Sequence, residues 1–316
     1  IPTLLGPKRQ YYTLVATILL MYAALTTAWN IPCGWGGQTD LAGSTYFGVS
    51  AYVSTTIYMR WEITPWVGMF LGALTSAALT MVLAYPAFRF GLRAVWYTLA
   101  SSATVQVFQT AFLMWEDIGG PVERWIPTYA TKYSYLYTLR MWRYDIYYYI
   151  MAAFLLSFLF ISYSIRHSTL GYRLLAIREN EAAAEALGVD VRRNKLYGVM
   201  VYAFLVGLVG TVHAFIYGFT SPFQQFTPAL SGEMVMLSNI GGVGTLLGPV
   251  SGSILLVGIT EYLRITFGAI WVGVAVHLLI YGTVMMVIVL LRPGGVIFMF
   301  ERAARAIGRA VGLIEE

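Results

Sequence analysis

The chain has 316 residues, of which 58% are hydrophobic and 11% charged, with a formal net charge of +5. A soluble domain carries roughly a quarter charged residues, so this balance excludes a water-exposed globule, and it equally excludes a disordered chain. It is the composition of an integral membrane protein, where an excess of Lys and Arg points to cytoplasmic loops before nucleic acid.

Lys8 and Arg9 precede an apolar run, Tyr11 to Trp29, of 19 residues without a charge. The start resembles a signal peptide, but no small-residue cleavage site follows, and the run is read as a spanning helix. Further charge-poor runs lie at 66–88, 94–115, 146–165, 196–219 and 268–291, with shorter apolar pieces at 44–59 and 249–263. Two stretches, 30–43 and 230–248, are apolar but crowded with Gly, Pro or Asn. Broken backbone at membrane depth persists only where protein or a watery cavity satisfies it, so these are the first candidates for a substrate path.

Counted with the broken pieces, the crossings are 11–29, 30–43, 44–59, 66–88, 94–115, 146–165, 196–219, 230–240, 249–263 and 268–291, about ten in all. Both ends of the chain then share one side. With that side cytoplasmic, 14 Lys and Arg lie inside and 6 outside, in the sense of the positive-inside rule. The expectation is an all-α membrane protein in which 1–316 is a single transmembrane domain. It has an outer loop at 116–145, a cytoplasmic loop at 166–195 and a cytoplasmic tail at 292–316.

The outer loop carries Trp125, Tyr129, Tyr133, Tyr135, Tyr137, Trp142 and Tyr144, which read as an interfacial aromatic belt ahead of a ligand site. The tail from Glu301 sets Arg302, Arg305 and Arg309 among apolar residues and reads as a short helix on the inner leaflet. In the cytoplasmic loop, Leu170, Leu174, Leu175 and Ile177 keep helical spacing. Asn180 is a good N-cap, Glu181–Leu187 consists of strong helix formers, and Gly188 suits the C′ position. Ala182, Ala183 and Ala186 give that helix a small face suited to docking, although a plain solvated helix fits the same residues.

The chain has three lysines, Lys8, Lys132 and Lys195, and none follows a P-loop glycine, so it does not carry an ATP-hydrolysing site of that kind. It also lacks a nucleophile elbow and a zinc-protease motif. Cys33 is the single cysteine, and His167, His213 and His277 are far apart, so no metal site is expected. Ionisable groups at membrane depth usually have a role. Glu261 has Arg264 for an interfacial ion pair. Glu233 is either a helix N-terminal acid or a path residue. His213 and His277 read as neutral interhelical hydrogen-bond partners. Asp40 is either a path residue or the N-cap of a helix starting near Leu41.

The segment Glu181–Gly188, EAAAEALG, resembles the EAA-type coupling loop of ABC importer permeases. The likeness widens over 171–222 and over GGVGTLLGPVSGS at 241–253, which resemble the branched-chain amino acid ABC importer permease family. A weaker likeness covers 36–52, where Gln38, Leu41, Gly48, Ala51 and Tyr52 fit the family pattern and Asp40, Ala42, Gly43 and Ser50 depart from it. The resemblance implies a type II-like permease fold in a bacterial inner membrane, with 116–145 periplasmic.

It also implies partners: a second homologous permease, two ATPase subunits that hold the ATP and Mg, and a periplasmic substrate-binding protein. This chain would bind no cofactor itself. Arg178, Glu179, Asn180, Glu181, Ala182, Ala183, Glu185 and Gly188 would meet the ATPase. The two segments GGQTDLAG (36–43) and GGVGTLLG (241–248) share a Gly-Gly-x-x-x-Leu-x-Gly pattern, and both are expected to line the path. The path residues are then Gln38, Thr39, Asp40, Glu233, Asn239, Gly241, Gly242 and Gly244. The implied substrates are small aliphatic amino acids, with urea, short amides or another small polar solute as the alternative. A gradient-driven transporter or channel acting alone is a second reading, in which the capped cytoplasmic helix has no task.

Overall fold

In this computed structural model, residues 9–92, 94–127, 135–139, 144–267, 279, 282–283, 286–287 and 295–297 are described. The apolar runs are helical because lipid offers no hydrogen-bond partner and each backbone group must find one within its own segment. The elements in order are α1 (Arg9–Asn30), α2 (Gly43–Trp61), α3 (Pro65–Arg89), α4 (Ala94–Met114), β1 (Arg124–Trp125), α5 (Tyr135–Thr138) and α6 (Tyr144–Arg166). There follow α7 (Thr169–Glu179), α8 (Glu181–Ala186), α9 (Val191–Tyr217), β2 (Phe219–Thr220), α10 (Pro222–Gln225), α11 (Pro228–Gly241) and α12 (Gly248–Phe267). Segments Gln10–Trp35, Pro65–Arg89, Tyr144–Arg166 and Val191–Tyr217 are each long and apolar enough to cross a membrane unaided.

Helix α9 is the central post, packed against α2 and α3. Small residues set that close approach: a side chain on Gly68 or Gly72 would strike Ser54 or Ser50, and one on Gly210 would strike the Phe47 carbonyl. In lipid, where burial of apolar surface drives little, such contacts carry helix association. Trp29, Trp35, Tyr46, Phe47, Tyr202 and Phe215 are fully buried within the bundle.

The helices define two ends. The basal end carries α7 and α8. The apical end carries a short antiparallel ladder that the sequence did not announce, in which Arg124 pairs with Thr220 and Trp125 with Phe219. Arg124 also donates from Nη1 to Thr56 Oγ1 at 3.0 Å, and burial, followed by the nearby Arg60 charge, lowers its pKa.

One part of the expected topology is corrected. Segment 30–43 is not a crossing. After Asn30, helix α1 widens into a π-helical turn, Ile31–Trp35, around Pro32. The carbonyls of Cys33 and Pro32 accept the N–H groups of Gly37 and Gln38, both at 3.0 Å, and the chain turns back. Gly37 adopts φ +64°, a conformation open to glycine. The turn lies at the basal end, since Leu174 and Arg178 of α7 pack against Gly36 and Gly37. Helix α1 therefore runs from the apical to the basal end. Arg9 starts at the end opposite the 166–195 loop, not beside it as the ten-crossing count required.

The other expected spans match their helices to within a few residues. Of the expected span 268–291, only residues 279, 282–283 and 286–287 are described. His277, Tyr129, Tyr133, Trp142, the side chain of Arg264 and the tail from Glu301 lie outside the described residues.

Candidate functional site

At the basal end the two glycine-broken segments meet. Gly244 N–H donates to Asn30 Oδ1 at 2.8 Å, and Asn30 Nδ2 donates to Thr245 O at 2.8 Å. Trp35 Nε1 donates to Gly244 O at 3.1 Å. Arg178, from α7, donates from Nη1 to Gly34 O. Nearby, Val296 N–H donates to Ile240 O at 2.9 Å. Gly244 has φ +85°, and a side chain there would crowd the Arg178 guanidinium. The joint thus links α1, the 242–247 turn and the basal helix pair, three parts distant in sequence.

The basal pair itself follows the sequence closely. Asn180 Oδ1 accepts from Ala183 N–H at 3.1 Å, and Gly188 ends the segment at φ +84°. A helix as short as α8 does not hold itself together. It is held by that cap, by Ala184 packed with Ile177 and Val191, and by Lys195 Nζ on Glu181 Oε2 at 2.8 Å. Glu179, Ala182, Ala183, Glu185 and Gly188 face outward, and Leu187 is 84% exposed at the tip. Arg178 is exposed as well, and its Nη1 also bonds into the joint.

Asp40 is fully buried in a knot of its own. Its Oδ1 accepts from Ala42 N–H at 2.6 Å, and its Oδ2 accepts from Tyr97 O–H at 2.7 Å and Tyr46 O–H at 3.3 Å. Its carbonyl accepts from Trp29 Nε1 at 2.8 Å. The helix after it begins at Gly43 and is capped by Ala42 without a side-chain bond, so Asp40 holds the chain entering α2 and is not an N-cap in the strict sense. Its neighbours are tied alike: Thr98 Oγ1 donates to Thr39 O at 3.0 Å, and Leu41 N–H donates to Ser101 Oγ at 3.0 Å. Gln38 is buried, and its Nε2 has no hydrogen-bond partner among the described residues.

Glu233 lies elsewhere. It sits past the first turn of α11, which contains no acid, so it is not a helix N-terminal acid. It faces a cavity of about 300 Å³ lined by α1, α2, α9, α10 and α11, and accepts Tyr22 O–H at 2.6 Å. Eight residues of helix, about 12 Å, separate it from Gly241 and the joint. Asn239 bonds back to its own helix at Val235 O, 2.8 Å away, and Gly241 and Gly242 pack against Gly248. His213 lines the Glu233 cavity; it touches the rings of Phe47 and Tyr217 at 5.0 and 4.6 Å, and its Nδ1 has no hydrogen-bond partner among the described residues. Glu261 is buried on α12.

The expected path residues therefore fall in three places: the joint, the Asp40 knot and the Glu233 cavity. Asn30, Trp35, Tyr22, Tyr46 and Tyr97 were missed. Asn30 had a visible signal, a lone amide closing a charge-free run just before a proline.

The branched-chain amino acid transport system / permease component family matches residues 11–290. Among curated proteins, the chain is similar to the high-affinity branched-chain amino acid transport system permease proteins LivM of Escherichia coli (strain K12) and Salmonella typhimurium (strain LT2). Each is 26% identical over 307 residues, which cover 90% of this chain and 69% of the relative. No solved structure matches the chain. With a match that takes in nearly all of α1 to α12, the chain belongs to the branched-chain amino acid transport permease family and is a multi-pass membrane protein.

Proposed function

We propose that the chain is the membrane-spanning permease subunit of an ATP-driven importer for small amino acids of the branched-chain and hydrophobic class, seated in a bacterial inner membrane with the basal end in the cytoplasm. It pairs with a second permease. Two ATPase subunits dock on α7 and α8 and hydrolyse ATP with their own Mg, and a periplasmic binding protein delivers substrate at the apical end.

The observation that carries the reading is the Arg178 bond to Gly34. It ties the exposed, capped helix pair α7–α8 outside the bundle to both broken segments inside it. A push on α8 reaches Arg178 through α7 and from there the turns at 31–37 and 242–247. These turns end α1 and α11, the two helices that carry Tyr22 and Glu233. Two discrete arrangements of that joint, biased by ATPase closure, would alternate access to the cavity above.

The test is reconstitution in liposomes with the partner ATPases and binding protein. Leu187→Asp changes an exposed tip without touching the internal bonds. It should leave the permease folded while ATPase co-purification and ATP-dependent uptake fall at least tenfold. Gradient-driven uptake by the chain alone would overturn the reading.

A further inference from the structure

The Glu233 cavity has a chemistry that the fold does not need. Its lining is of two kinds. Ile18, Met21, Phe47 and Leu230 are apolar. Glu233, His213 and Gln224 face the same space. Tyr22 O–H occupies one site on Oε2, and a carboxylate offers about four acceptor positions. Gln224 Oε1 and His213 Nδ1 are both buried without a hydrogen-bond partner among the described residues. Both atoms are closed to solvent, so they lie within the wall, and the acceptor that lines the cavity is the Glu233 carboxylate. Buried polar atoms left open in this way cost free energy unless a ligand or water completes them. A carboxylate at membrane depth adds to that cost.

We propose that this cavity is a binding station for the ammonium group of the transported amino acid, with the aliphatic side chain laid on the apolar lining. A primary ammonium has three donors and no acceptor, which complements an acceptor set led by a carboxylate. A carboxylate ligand has the opposite requirement and would be repelled by Glu233. The volume of about 300 Å³ is at the small end of ligand pockets, which fits a small amino acid better than a peptide. Tyr22 and Glu233 sit on α1 and α11, the helices joined below by Asn30 and Gly244, so movement of the joint alters the station's shape. The station deepens the proposed function, on which the choice of an amino acid as ligand rests.

The experiment uses the assembled transporter in nanodiscs without binding protein. Thermal stability is measured with millimolar L-leucine, 3-methylbutylamine, which keeps the ammonium, and 4-methylpentanoate, which keeps only the acid. Leucine and the amine should stabilise the wild type, and the acid should not. Glu233→Gln keeps an acceptor for Tyr22 O–H but removes the charge, and both stabilisations should vanish. Ala229→Phe fills the cavity without changing charge and should abolish them too.

Stabilisation by 4-methylpentanoate equal to that by the amine, or undiminished leucine binding in Glu233→Gln, would overturn the station. Neither outcome touches the importer reading. That reading fails instead if the wild type shows no ATP-dependent uptake. In uptake assays Glu233→Gln should lower leucine transport at least tenfold with ATPase docking unchanged. Wild-type uptake by this variant would again count against the station.

Discussion

Asn30 and Gly244 are 214 residues apart, and the side-chain oxygen of one accepts the backbone N–H of the other at 2.8 Å. The same carboxamide donates to Thr245 O at 2.8 Å, so one side chain satisfies both polar faces of a turn that has no helical partner. This matters because a non-helical backbone in a membrane bundle must be completed by protein or water. Asn30 completes it and, in doing so, fixes the end of α1 to the turn that follows α11.

Replacing Asn30 by Leu removes both bonds and leaves the Gly244 N–H and Thr245 O without partners. The cost should be about 2–4 kcal/mol, with two part-buried groups each worth about 1–3 kcal/mol and part of that recovered by water. A melting curve of the purified chain checks this. Asn30→Asp should be intermediate, because it retains the acceptor for Gly244 N–H and loses the donor for Thr245 O.

Arg178→Ala should fold and retain ATPase binding, since α8, its Asn180 cap and the Leu187 tip are untouched, but ATP hydrolysis should no longer drive uptake. Arg178→Lys should not restore it, because an ammonium does not reproduce the reach and planarity of a guanidinium. The ratio of substrate carried to ATP hydrolysed is the measurement. An unchanged ratio in Arg178→Ala would remove the joint from the coupling route.

Gly244→Ala should destabilise the chain by about 1–3 kcal/mol, the range for a non-glycine residue held at positive φ, and the new methyl would also crowd Arg178. Gly232→Ala on α11 meets nothing within 4 Å and is the matched control, expected to be neutral or slightly stabilising.

Tyr97→Phe removes one of the two phenol donors from Asp40 Oδ2. With the carboxylate fully buried, about 1.5–3 kcal/mol should be lost, the range for hydrogen bonds to charged groups. Asp40→Asn should be milder than Asp40→Ala, since an amide still accepts from Ala42 N–H. Denaturant midpoints of the three variants give the order directly.

The direction of α1 is open to a labelling test. With Cys33 replaced by Ser, a cysteine placed at Gln10 should react with a membrane-impermeant maleimide from the side opposite to one at Leu187. Both positions are exposed. Labelling of both from the same side would restore the ten-crossing arrangement.

The sequence by itself determined the local events. Charge-free runs became helices because backbone groups in lipid have no other partner. Asn180 and Gly188 bounded α8 because a side-chain cap and a positive φ are properties of single residues. The family was legible for the same reason, in contiguous stretches at 171–222 and 241–253 around the Glu181–Gly188 motif. What the sequence did not disclose were meetings between distant segments. A count of apolar pieces treated 30–43 as a crossing, because a proline and paired glycines interrupt a span and a reversal alike. Only the packing of Gly36 and Gly37 against α7 decides that the chain turns back. Glu233 could be read as a helix-start acid or a path residue until the fold set Tyr22, Gln224 and His213 around its cavity. Arg178 read as a docking residue, and the fold adds Gly34 under its head. Hydrogen bonds act over about 3 Å in space, whatever the separation along the chain, so their partners were settled by tertiary structure alone.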